Sequence, residues 1–185
     1  MRLWLLSAAA LLLAGCGGPR GVSSVGPGPE YQPASLSPAV RRGAPVGDLQ
    51  CARRAPKTWI HLELFAHGRV VIVPAGIGVA PPRTVDGAYV RGGRCRYPLF
   101  TEEPTGLVAV ARDGLTLGDL FRVWDRPLSR DGLVGFRGHV RVHVDGGRWT
   151  GDPADVPLAR HAQIVVQAGE PVMEPHAAYA FPKGY

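Results

Sequence analysis

The clearest periodic pattern in this sequence is an alternation of side-chain types over residues 59–65 (WIHLELF). One isoleucine and two leucines fall on one face, and the aromatic and polar side chains fall on the other. This alternation predicts a half-buried β-strand. His67 and Gly68 follow where a hairpin needs positive φ, so residues 69–73 (RVVIV) are predicted to be the return strand.

A second pattern predicts one good helix over residues 116–124. Thr116 stands at the N-cap, and Asp119 stands three residues later, in the capping-box position. The apolar residues then follow helical spacing, and Pro127 ends the helix.

Shorter patterns complete the predicted fold. Apolar runs predict strands at residues 106–111 and 162–167, and a hairpin with an Asp145-Gly146 turn is predicted around residues 140–150. The order hairpin, strand, helix, hairpin, strand predicts an α+β domain with a small mixed β-sheet and one main helix. This order resembles a β-grasp (ubiquitin-like) domain. A small β-sandwich or open barrel with one short helix is the alternative.

The N-terminus carries an export pattern. Arg2 precedes an apolar run over residues 3–13, which is too short for a stable transmembrane helix. The run ends in Leu13-Ala14-Gly15-Cys16, which resembles the lipobox of bacterial lipoproteins. This resemblance implies removal of a signal peptide, residues 1–15, and lipid on Cys16. The expected location is therefore the cell envelope, with the chain lipid-anchored to a membrane on its extracytoplasmic side.

Composition divides the remaining chain into three parts. The 25 Gly and 18 Pro residues of this 185-residue chain argue against a helical bundle. Residues 16–50 are rich in Gly, Pro and Ser without a periodic pattern, so a lipid-anchored flexible linker is predicted there. Residues 51–169 are predicted to form the α+β domain, and residues 170–185 a C-terminal tail.

Two cysteines, Cys51 and Cys95, lie in the predicted domain. In an exported chain they most simply form a disulfide bond. A thiol pair with metal-binding or redox activity is the alternative, but the sequence contains no C-x-x-C motif.

Three segments resemble an uncharacterised family of exported bacterial and archaeal proteins: residues 73–79 (VPAGIGV), 116–124 (TLGDLFRVW) and 152–164 (DPADVPLARHAQI). Members of that family carry histidines in the first strand and in a His-Thr-His-Asp-like run before a Thr-Gly pair. In this chain the corresponding run, residues 100–106, reads FTEEPTG and lacks both histidines. The resemblance implies no established activity.

Six histidines raise the possibility of a metal site. His139 and His143 share one face of a predicted strand but lie about 13 Å apart, so one ion cannot bind both. A copper or zinc site would need a partner across the sheet, and the candidates are His61 and Glu63 beside His139.

Catalytic patterns are weak. The only serine after Cys51 is Ser129, without a G-x-S-x-G context, and Glu102 and Glu103 are sequence neighbours whose side chains diverge in an extended chain. Walker, Rossmann and H-E-x-x-H motifs are absent from the sequence. No enzyme activity and no cofactor are therefore predicted.

The net charge of +6 and a pI near 9.7 suit contact with anionic envelope polymers or phospholipid headgroups. Nucleic acid is not an expected partner of an exported chain. The sequence therefore predicts an envelope lipoprotein with a non-catalytic binding or assembly module. Another envelope protein, met through a sheet edge or the aromatic tail, or an anionic polymer is the expected partner. Extracytoplasmic copper or zinc binding through histidines is the alternative function.

Overall fold

The computed structural model describes residues 32–53 and 55–185. The predicted signal peptide, Cys16 and the first half of the predicted linker lie outside these residues. The helices are α1 (Pro38–Arg42), α2 (Leu117–Trp124) and a 3₁₀ helix (Pro153–Asp155). The strands are β1 (Thr58–Ala66), β2 (Arg69–Val71), β3 (Val79–Ala80), β4 (Thr84–Asp86), β5 (Tyr89–Gly92), β6 (Cys95–Arg96), β7 (Leu99–Phe100), β8 (Leu107–Val110), β9 (Leu128–Ser129), β10 (Gly132–Leu133), β11 (Phe136–Arg137), β12 (Val140–Val144), β13 (Gly147–Trp149) and β14 (Gln163–Ala168).

One mixed seven-stranded sheet organises the domain. Its strand order is β13-β12-β14-β1-β8-β7, and β2 also pairs with β1, beyond the end of β8. The central pair, β1 and β14, is parallel, with His61 beside Gln163, and the other pairs of this sheet are antiparallel. A mixed sheet with one main helix confirms the predicted α+β class.

The first strand forms as its alternation predicts. Ile60, Leu62 and Leu64 are at most 1% exposed and belong to the main hydrophobic cluster. Their neighbours Ile164 and Val166 on β14 lie in the same cluster. This face of the sheet, with the apolar side of α2, forms the core.

Both predicted tight turns and the predicted helix are present. His67 and Asp145 adopt positive φ, each followed by a glycine that does the same. Helix α2 begins with the predicted capping box: the Asp119 N–H donates to Oγ1 of Thr116 (3.4 Å), and the Thr116 N–H donates to Oδ2 of Asp119 (3.0 Å). This reciprocal pair satisfies two amides at the helix start.

The predicted flexible linker differs from the structure over its last part, residues 32–50. Ser37 caps α1, and Val40 and Leu49 have no exposed surface. The Ala34 N–H donates to the Ala75 carbonyl (2.7 Å), which ties this segment to the domain. The composition is that of a linker, but two apolar side chains at irregular spacing find partners in the domain core, and this burial orders the segment.

Residues 74–94 were predicted as loop but contain the short strands β3, β4 and β5. Strand β4 pairs with β5, and β3 pairs with β6, which follows this range.

Within residues 32–53 and 55–185, no helix has both the length and the apolar character needed to cross a membrane.

Candidate functional site: the second face of the sheet

The sheet face opposite the core, here called the second face, carries polar and aromatic side chains. Because side chains alternate along a strand, β1, β14 and β12 each present every second residue to it. These residues are Trp59, His61, Glu63 and Phe65 from β1, Gln163, Val165 and Gln167 from β14, and Arg141 and His143 from β12.

The C-terminal segment, residues 170–185, lies across this face. The side-chain amide of Gln167 donates to the Met173 carbonyl (2.8 Å), and its oxygen accepts from the Met173 N–H (2.7 Å). Further along, Nδ1 of His176 lies 2.8 Å from a Glu63 carboxylate oxygen. One glutamine thus binds both main-chain groups of a residue in the segment, and one acid binds a side chain.

Three aromatic contacts hold the rest of the segment. The Tyr179 ring stacks on His61 with a centroid distance of 3.7 Å, and the Phe181 ring stacks on His161 at 4.6 Å. The ring of Tyr185 lies 4.6 Å from that of Trp59. The predicted unpatterned tail therefore has a defined path, with aromatic side chains directed at the sheet.

The end of the segment is also bound through polar groups. Nε2 of His161 lies 3.1 Å from the Tyr185 carbonyl oxygen, and the Tyr185 hydroxyl donates to Oε1 of Glu103 (3.2 Å). Burial and the nearby Glu103 carboxylate raise the pKa of both Tyr179 and Tyr185. The two phenols are therefore neutral at physiological pH and act here as hydrogen-bonding aromatic groups.

His61 is buried beneath Tyr179 and is 6% exposed. Its Nδ1 lies 2.6 Å from Oε1 of Gln163, and its Nε2 lies 2.9 Å from the Thr105 carbonyl oxygen. A carbonyl only accepts, so Nε2 carries a proton. Nε2 of Gln163 and Oγ1 of Thr105 are buried without a hydrogen-bond partner among the described residues. The two ring nitrogens of His61, in contrast, both have partners, Gln163 and Thr105.

A small cavity of about 360 Å³ opens where β2 and β8 diverge along β1. Apolar side chains of β1 and β2 line it, with Glu63 and His176 among its polar residues. Val70 on β2 is 67% exposed beside it. This cavity adds an apolar surface next to the C-terminal segment.

The metal candidates do not converge. His61 pairs with Gln163, at the start of β14, whereas the His139 carbonyl accepts from the Gly169 N–H, beyond the other end of β14. Six residues of strand correspond to about 20 Å, and β14 separates the two strands. Glu63 lies 3.8 Å from His61 but binds His176. In the part of the chain that the structure describes, no three His, Cys, Asp or Glu residues form a metal-binding group.

The predicted disulfide bond is confirmed. Cys51 and Cys95 are bonded, with Cα atoms 5.5 Å apart, and join the beginning of the predicted domain to β6. The acidic neighbours considered for catalysis diverge: Glu102 pairs with Arg96 (2.6 Å), whereas Glu103 accepts from Tyr185.

The residues that sequence reasoning missed are Gln163 and Gln167 on β14 and Tyr179 and Phe181 in the C-terminal segment. One local signal was present, because Tyr179 and Phe181 are two residues apart and so point to the same side of an extended chain. Nothing local identified the surface that they contact.

No family model, curated protein or solved structure matches this chain.

Proposed function

We propose that this chain is an envelope lipoprotein, held to a membrane by lipid on Cys16, whose domain is a non-catalytic module that binds extended polypeptide. The Leu13-Ala14-Gly15-Cys16 sequence supports the anchor. The Cys51–Cys95 bond supports an extracytoplasmic location, because disulfide bonds persist in oxidising compartments.

The strand arrangement supports a β-grasp-like fold for this module. Strands β2, β1, β14, β12 and β13 lie in that order around a parallel central pair, and α2 lies between the two hairpins in the chain. Residues 72–116 are then an insertion that carries β3 to β8.

The observation that carries the binding proposal is the way the second face holds the C-terminal segment. Gln167 binds the main chain of Met173 as a neighbouring strand would, and His61 and His161 each stack on one aromatic ring. Proteins recognise extended peptides through hydrogen bonds to the peptide main chain, together with pockets or rings that contact every second side chain. The partner is therefore an extended segment of an envelope protein with aromatic residues two positions apart.

A copper or zinc site is not part of the proposal. The ring nitrogens of His61 bind Gln163 and Thr105, and Glu63 binds His176. Nε2 of His61 carries a proton and so offers no lone pair to a metal ion, and the other candidate ligand atoms already have protein partners.

The anchor is tested by Cys16→Ser. We expect the native chain to take up labelled palmitate and to stay with membranes after salt and alkali washing, and the variant to lose the label. A variant that keeps the label would contradict the anchor, as would a native chain recovered with residues 1–15 and no lipid.

Binding is tested with a chain ending at Gly169 and a fluorescent peptide of residues 170–185. We expect fluorescence anisotropy to show binding to the shortened chain and none to the full chain, whose own segment covers the face. A peptide with Tyr179→Ala and Phe181→Ala is the matched control and should not bind. A full chain carrying those two substitutions should also bind the native peptide. This second variant tests the proposal if the shortened chain does not fold. Equal binding of both peptides contradicts the proposal.

A further inference from the structure

A second surface, here called the arginine cleft, lies beside the disulfide bond. Three arginines, Arg53, Arg94 and Arg96, line a cleft of about 690 Å³, together with Thr84 and Cys95. Its other lining residues are Ala52, Ala55, Pro82 and Gly93, so no acidic side chain of the described residues lines it.

The arginines of the cleft have unused hydrogen-bonding capacity. Arg96 already pairs with Glu102 through Nη2 (2.6 Å), and its Nε, which has no partner among the described residues, is buried, so the free donors of the cleft are those of the other two arginines. Arg53 and Arg94 form no ion pair within residues 32–53 and 55–185, and both are exposed. One guanidinium group can donate two parallel N–H···O bonds to two oxygens of one phosphate, so free guanidinium donors suit a phosphate group.

The main chain beneath these side chains is fixed by several bonds. Cys95, between two of the arginines, is bonded to Cys51, and Ala52 exchanges two main-chain hydrogen bonds with Arg96 (3.0 and 2.8 Å). The Arg94 N–H donates to the Ala80 carbonyl (3.0 Å). A backbone fixed in this way loses little conformational entropy when an anion binds, so the ordering cost falls on the arginine side chains.

The surrounding charge is positive. Arg83, between Pro82 and Thr84 in the chain, does not line the cleft, but it stays charged at neutral pH because its pKa, lowered by burial and by repulsion from Arg41, is still about 10. Glu102 is the acid that approaches the cleft, and it neutralises only Arg96. An anion in the cleft would therefore meet a net positive field.

We propose that the arginine cleft is a binding site for a phosphate group, supplied in the anchored protein by an anionic phospholipid headgroup. The guanidinium of the lining residue Arg94 lies against Gly43, so the described N-terminal residues pass beside the cleft. Cys16 precedes Ala34 by eighteen residues, which span at most about 65 Å. The headgroup as source rests on the proposed lipid anchor, whereas the phosphate chemistry does not.

The test is hydrogen exchange of the amides from Gly93 to Arg96 in the purified mature protein. One arm adds inorganic phosphate against chloride at equal ionic strength. The other places the protein in vesicles of phosphatidylcholine alone or with phosphatidylglycerol. We expect inorganic phosphate at about twice its Kd to slow exchange about threefold, and phosphatidylglycerol to slow exchange relative to phosphatidylcholine alone.

The double variant Arg53→Glu, Arg94→Glu should lose both effects, and Arg137→Glu, Arg160→Glu, which changes the same charge at exposed positions elsewhere, should keep them. Arg53→Gln, Arg94→Gln serves if the first variant does not fold. Protection by phosphate alone overturns the lipid source and keeps the phosphate site. Absence of protection in both arms, or protection that survives both cleft variants, overturns the proposal. Failure of the Cys16 anchor affects only the vesicle arm.

Discussion

The imidazole ring of His61 and the phenol ring of Tyr179 lie face to face, 3.7 Å apart between centroids and 11° from parallel. This contact joins the first strand of the domain to the C-terminal segment. It also covers a histidine whose two nitrogens are bound by Gln163 and Thr105. The second face is thus closed at its centre by one aromatic ring from outside the sheet.

Removal of that ring is expected to open the second face. Tyr179→Ala should expose His61 and lower the free energy of unfolding by about 1–2 kcal/mol, through lost stacking and lost burial. Diethyl pyrocarbonate modification of His61, followed by mass spectrometry, measures the exposure. Urea unfolding measures the stability.

The matched control for this change is Tyr89→Ala. Tyr89 lies on β5, outside the seven-stranded sheet, and stacks under the Arg91 guanidinium (4.2 Å). The Tyr89→Ala substitution should leave the rate at which diethyl pyrocarbonate modifies His61 unchanged. Slow modification of His61 in Tyr179→Ala would mean that the ring is not what covers the histidine.

A second expectation concerns Arg83, which ties the N-terminal part to the domain. Its guanidinium donates to the carbonyls of Val79 (2.9 Å), Ala34 (2.9 Å) and Gly76 (2.5 Å). Arg83→Met keeps most of the side-chain volume but leaves these acceptors without their donor. We expect the free energy of unfolding to fall by about 2–3 kcal/mol. The loss is no larger because water reaches this half-buried site and can donate hydrogen bonds to some of the carbonyls.

The same variant should release residues 32–50 from the domain. Trypsin should then cut after Arg41 and Arg42 faster than in the native protein. Arg137→Met, at an exposed arginine without an ion pair in the described chain, is the control and should change neither stability nor cleavage. Unchanged cleavage in Arg83→Met would show that Val40 and Leu49 hold the segment without this arginine.

Strand β1 and helix α2 could be predicted from sequence because each carries its own local signal. The alternation around Leu62 needs only its neighbours, and the Thr116–Asp119 capping box is complete within four residues. The disulfide bond was also predictable, because the predicted lipid on Cys16 leaves two cysteines with one simple pairing.

The site was not predictable because its contacts join distant parts of the chain. Residues 32–50 have linker composition, but they contact distant residues of the domain: Arg83 donates to the Ala34 carbonyl and the Tyr97 hydroxyl to the Ala44 carbonyl. The pairing of His61 with Tyr179, and its separation from His139, follow from strand register, which a single strand pattern does not specify. Local patterns thus predicted the sheet but not what covers it.

The disulfide bond gives a third expectation. Cys51→Ser with Cys95→Ser should lower the unfolding free energy by about 4 kcal/mol, because the bond closes a long loop in the unfolded chain. Guanidinium unfolding of oxidised and reduced native protein should give the same difference. A double variant as stable as the oxidised protein would show that strain in the folded state offsets this entropy. Cys16→Ser changes a cysteine without breaking the bond and is the matched control.

The last expectation is a pH dependence from His143 on the second face. Burial and the charge of Arg148, its cross-strand neighbour, lower the pKa of His143 below its ordinary value of 6.5. As the pH falls below 6.5, the unfolded chain binds a proton that the folded chain does not, so the free energy of unfolding should decrease. This decrease should be smaller in His143→Gln, which cannot titrate, and in Arg148→Gln, which removes the repulsion. Urea unfolding between pH 7.5 and pH 5 measures it, and Arg137→Gln, which loses the same charge elsewhere, should behave like the native protein. If all three variants follow the native pH profile, the proton uptake belongs to another group.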